Sequence, residues 1–151
     1  MLSAIGTVGA VVISLWLSSR NERPQLYIHY CIECADEGVP ETYIFEIINI
    51  GRVPTTLLYE GISMHSRNHF NTEVGFDGII NWSHNDKNWP TSYANTLRPG
   101  ESVVLEVEEE VMKKTIHNLT GKKNKKKLYF YIVDSTNRRH FVEFSVEDIM
   151  E

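Results

Sequence analysis

Leu26-Tyr27-Ile28-His29-Tyr30-Cys31-Ile32-Glu33 changes side at every residue: Leu26, Ile28, Tyr30 and Ile32 make one face, Tyr27, His29, Cys31 and Glu33 the other. A period of two marks a strand, because successive side chains leave an extended backbone on opposite sides. Pro24 just upstream disfavours helix at Arg23, so helix should stop near there. Downstream, Asp36-Glu37-Gly38-Val39-Pro40 is a turn cluster. Tyr43 to Ile50 is apolar on both faces except at Glu46 and Asn49, as a well-buried central strand should be. Gly51-Arg52-Val53-Pro54 then leads into a third run, Thr55 to Met64, interrupted by Gly61.

From His65 to Thr96 the alternation dissolves, with Phe70, Phe76, Ile79, Ile80, Trp82 and Trp89 scattered among polar residues. A long irregular stretch inside a domain is either functional or hides short strands. Short strands are expected near Glu73–Phe76 and Gly78–Trp82. Pro99-Gly100 is a type II turn signal, since Pro pre-sets the first central angle and Gly supplies the positive one. It launches Val103, Leu105 and Val107 as an inward row. Glu109 to Leu119 switches to helical spacing, with Val111, Met112, Thr115, Ile116 and Leu119 on one face and acids in the first turn. Leu128–Val133 and Phe141–Val146 form a closing hairpin across Asp134 to Arg139. Short strands, regular turns and one minor helix predict a mainly β protein, an antiparallel β-sandwich spanning 25–151.

The chain opens on Met1 to Ser19 without a charged side chain, followed by Arg20 and Arg23. A bilayer core of about 30 Å takes ~20 apolar residues, so this run predicts a transmembrane helix at 1–19 and a juxtamembrane linker at 20–24. No Lys or Arg precedes it, which argues against a signal peptide. Arg20 and Arg23 favour a single-pass arrangement with the C-terminal domain cytoplasmic. Gly6, Ala10 and Ser14 recur every four residues, a stripe through which such helices pack into oligomers.

A net charge of −5 argues against a nucleic-acid binder, which is normally basic. Cys31 and Cys34 are too close in sequence to staple a domain of this size, and their sparse use suits a reducing compartment.

Four motifs carry a resemblance. Ala4-Ile5-Gly6-Thr7-Val8-Gly9-Ala10-Val11-Val12 with Leu15-Trp16-Leu17 and Arg23-Pro24 is the first. Asn49-Ile50-Gly51-Arg52-Val53-Pro54-Thr55-Thr56-Leu57, Leu97-Arg98-Pro99-Gly100-Glu101-Ser102 and Val133-Asp134-Ser135-Thr136-Asn137-Arg138-Arg139-His140 follow in order. Together the chain resembles small bacterial and phage single-span membrane proteins of uncharacterised function, which implies an immunoglobulin-like sandwich behind the N-terminal span and no catalytic residues. Asn137 stands where Gly is usual, and Asn tolerates the left-handed region better than most residues. Asn49, Gly51, Pro54, Pro99, Gly100 and Asp134 read as structural. Asn49 shares a face with Phe45 and Ile47, so its amide should be buried and bonded to turn backbone.

Candidate functional groups are few. Trp82, Trp89 and Tyr93 offer an aromatic surface for a partner protein. Lys122, Lys123, Lys125, Lys126 and Lys127 offer a contact to lipid or phosphate. Cys31 and Cys34 end a strand rather than start a helix, which disfavours redox chemistry. His65, His69 and His84, with Asp77 and Asp86, carry no enforced metal geometry. Neither a metal nor a cofactor is expected, and no Gly-x-Ser-x-Gly elbow is present. These residues favour a non-enzymatic, membrane-anchored module binding a partner protein at the cytoplasmic face. The alternative is a membrane effector whose β domain senses a small-molecule ligand, such as a nucleotide, in a bacterial or phage conflict system.

Overall fold

The computed structural model describes residues 2–21, 23–33, 41–66, 73–76, 78, 80–83, 95–121 and 127–145. The alternating stretch at its start is strand β1 (Leu26–Glu33), preceded by helix α1 (Leu2–Asn21). The chain continues through β2 (Thr42–Asn49), β3 (Thr55–Ser63), β4 (Glu73–Val74), β5 (Ile80–Ser83), β6 (Asn95–Leu97) and β7 (Ser102–Glu108). Helix α2 (Glu109–Thr120) and the strands β8 (Lys127–Asp134) and β9 (Arg139–Ser145) complete it.

Two antiparallel sheets result, one ordered β1-β2-β7-β5 and the other β4-β3-β8-β9, with β6 paired to β3. Along the chain, β1 and β2 lie in the first sheet, β3 and β4 in the second, and β5 and β7 return to the first before β8 and β9 complete the second. The sheets share one core. Phe45 of β2 stacks on Phe130 of β8 with ring centroids 4.1 Å apart, and Phe144 and Tyr30 extend the aromatic layer. Val103, Leu105 and Val107 form the inward row of β7, all fully buried. Helix α2 buries Met112, Thr115 and Ile116 against the sandwich and ends at Gly121, whose φ of 58° favours glycine. It packs against β2, β3, β4 and β7.

Two close approaches explain glycines inside this packing. A Cβ on Gly61 would lie 2.5 Å from the Val74 carbonyl oxygen and 2.8 Å from the Tyr131 hydroxyl. One on Gly78 would lie 2.6 Å from a Val111 methyl. Either contact is far below ordinary van der Waals separation.

The N-terminal segment requires a correction. Its helix is present, but among the described residues no helix is long and apolar enough to cross a membrane, so a transmembrane helix at 1–19 is not supported. Thr7, Gly9, Ser14 and Ser18 dilute the apolar residues of α1. In the irregular segment, β4 and β5 fall close to the expected short strands, while β6 comes from residues whose pattern shows no strand.

Candidate functional site

Antiparallel pairing brings four segments to the end of the sandwich that α1 enters: residues 23–25, the β2–β3 turn, the turn before β7 and the β8–β9 turn. Asn49, fully buried, ties two of them together, and its neighbours Ile50 and Gly51 join the third. Its amide nitrogen donates to the carbonyls of Val53 (2.8 Å) and Leu97 (2.9 Å), and its amide oxygen accepts the Gly51 N–H (3.0 Å). The Gly100 N–H donates to the Asn49 carbonyl, while the N–H groups of Ile50 and Gly51 donate to the Gln25 carbonyl. Around Pro99, the Glu101 N–H bonds the Arg98 carbonyl and Gly100 takes φ 83°, which makes a type II turn. Pro54 is exposed ahead of β3.

Asp134 organises the fourth segment from a fully buried position. One oxygen accepts the Thr136 N–H, the Thr136 hydroxyl and the Arg138 N–H; the other bonds His140 Nε2 at 2.8 Å. Burial alone would raise its pKa, but the bonds from His140, Thr136 and Arg138 outweigh it and hold the carboxyl below its usual range. Asn137 takes φ 61°, the left-handed position at this turn. These are bonds that shape loops. Each described buried polar side chain is engaged in this local way, Thr55 with the Val53 carbonyl, Ser63 with that of His65, Thr115 with that of Val111.

The outer face of the β4-β3-β8-β9 sheet differs. Register places Tyr59 beside Val133, and Tyr131 beside Phe141. Tyr131 and Phe141 lie 6.2 Å apart, and the Arg139 guanidinium sits 5.3 Å above the Tyr131 ring while pairing with the Glu73 carboxylate. Burial raises the Tyr131 pKa, keeping its hydroxyl protonated. Tyr59 is 42% exposed, with Tyr129 and Phe141 half-buried along the same face. Tyr129 donates to Glu143, which also binds Lys127. On the opposite, inner face, Glu60 lies beside Ile132, and burial pushes its carboxyl up to about 7.

Among the residues singled out by sequence, Trp82 sits on β5, half-buried and packed against the core. Trp89 and Tyr93 lie outside the described residues, as do Lys122, Lys123, Lys125 and Lys126. Lys127 is exposed at the start of β8. That is the far end of the strand from Asp134, about 23 Å away at strand rise. Cys31 is an exposed free thiol, and Cys34 is outside the described residues. His65 is exposed; His69, Asp77, His84 and Asp86 are outside, and among the described residues no group of His, Cys and acids could hold a metal. Ala10 and Ser14 are exposed on α1, the helix that also holds Gly6. Sequence reading misses Tyr59, Tyr129 and Phe141, although the odd-numbered positions of Leu128–Val133 carry the signal.

No protein-family model matches the chain, and no curated protein sequence matches it.

Proposed function

We propose that the chain is a non-enzymatic interaction module that binds a partner protein in a reducing, cytoplasmic setting. The observation that carries this reading is the aromatic outer face of the second sheet. Tyr59, Tyr129 and Phe141 surround a half-buried Arg139–Glu73 pair seated on Tyr131. Tyr, Phe and Arg are the side chains that concentrate binding energy at protein interfaces, because they offer large rigid contact area with few rotamers to freeze. The exposed Cys31 thiol suits a reducing compartment.

A photo-crosslinking amino acid at position 59 or 141 of the full chain, expressed in its native cell, tests the reading. One discrete protein adduct is expected from both positions, lost when the other aromatic is changed to Ala. His29, exposed on the opposite sheet, serves as the control position. Equal adducts from position 29, or none from 59 and 141, would overturn it.

A further inference from the structure

We infer that the end of the sandwich entered by α1 is a docking surface for anionic lipid headgroups. Four exposed arginines converge there from distant parts of the chain: Arg23, Arg52, Arg98 and Arg138. Hydrogen bonds hold their segments together. Gly51 and Ile50 bond Gln25, Gly100 bonds Asn49, and the Arg138 guanidinium donates to the Pro24 carbonyl. Among the described residues no carboxylate pairs with any of the four guanidinium groups. Among the described residues, the acids at this end are otherwise engaged, Asp134 with His140 and Glu101 with the Arg98 backbone N–H.

This basic end stands on a chain of net charge −5. At the opposite end, where β1 finishes, β2 begins and β7 passes into α2, Glu33, Glu41, Glu108, Glu109 and Glu110 are interleaved with Lys113, Lys114 and Lys127. A guanidinium grips phosphate through two parallel N–H bonds and sheds water more easily than an ammonium does.

Apolar groups decide between lipid and other polyanions. Ile50 is 58% exposed between Asn49 and Gly51, in the middle of the arginines. The helix arriving at this end exposes Val8, Val11, Val12, Ile13, Leu15, Trp16 and Leu17, which at 100° per residue point to all sides. Aliphatic groups among arginines match the boundary of headgroups and acyl chains. A single-stranded nucleic acid would call for a run of aromatics on which successive bases stack, whereas aliphatic groups outnumber the exposed Trp16 and Tyr27 among the described residues here. Contact with one leaflet satisfies the inference, so it requires no crossing of the bilayer. Lys127, at the far end, lies outside this surface.

Flotation of the full chain with phosphatidylcholine vesicles, with and without phosphatidylglycerol, tests it. The measured quantity is the ratio of binding to anionic over neutral vesicles. Each arginine near the surface contributes roughly fivefold, so R52Q/R98Q should lower the ratio roughly 25-fold. R52K/R98K should keep most of it, and K127Q all of it. Raising salt should collapse the preference. An unchanged ratio in correctly folded R52Q/R98Q, a drop confined to K127Q, or tighter arginine-dependent binding to single-stranded DNA than to anionic vesicles would overturn the assignment.

Discussion

The two ends of this sandwich are closed by different physics. Where α1 enters, a buried amide and a buried carboxylate bond directly to loop backbone, Asn49 to three turn groups and Asp134 to the hairpin and His140. At the other end, α2 lays Met112 and Ile116 on the core and surrounds them with surface charge. Hydrogen bonds are directional and costly to leave unmade, so the first end holds its loops in one geometry. Apolar packing is tolerant of shape-conserving change, so the second end constrains volume more than chemistry. A surface that must present charges at set positions belongs on the first.

Near-isosteric substitutions break this contrast most sharply. N49D replaces the donor facing the Val53 and Leu97 carbonyls with a charged carboxylate oxygen and should cost about 3–5 kcal/mol, whereas M112L should cost less than about 1.5 kcal/mol. Urea denaturation of both variants measures the difference, and equal costs would erase the distinction between the ends.

The two perturbed carboxyls come next, because their signs are opposite. Glu60 is raised from 4.5 to about 7 by burial. Below 4.5 it is protonated folded and unfolded alike; as pH rises to 7 the unfolded chain ionises first, so stability falls. E60Q should therefore be neutral below pH 4.5 and stabilising above pH 7 by up to about 3 kcal/mol, read from thermal melts. Asp134 is lowered, so its stabilisation is present above 3.8 and is lost as pH falls through its folded pKa. D134N should flatten acid unfolding rather than the alkaline side.

The smallest effects belong to exposed ion pairs. Lys113–Glu109 and Lys127–Glu143 are solvent-facing, and K113A or K127A should leave the melting temperature unchanged within error.

Much of this architecture is legible locally. The alternation in Leu26–Glu33, the inward row of Val103, Leu105 and Val107, and the Pro99-Gly100 turn are encoded within a few residues, and all three stand in the structure. Asn49 is legible too, because an amide on the face of Phe45 and Ile47 must find backbone partners. Positions 23, 52, 98 and 138 are another matter. Nothing local relates them, and only strand order and register bring them to one end. The outer aromatics hide for a similar reason: Tyr59 lies past a register shift between Leu57 and Tyr59, which breaks simple alternation along β3. The run at Met1–Ser19 shows the reverse hazard, since composition alone predicts a span that the described helix does not support.

Hydrogen exchange on the full chain bound to phosphatidylglycerol-containing vesicles compares the two ends directly. Added protection in residues 49–54, 97–101 and 134–138, with 109–121 unchanged, is the expected result. Protection confined to 109–121, or none at either end, would contradict the assignment of the arginine-bearing end to the lipid surface.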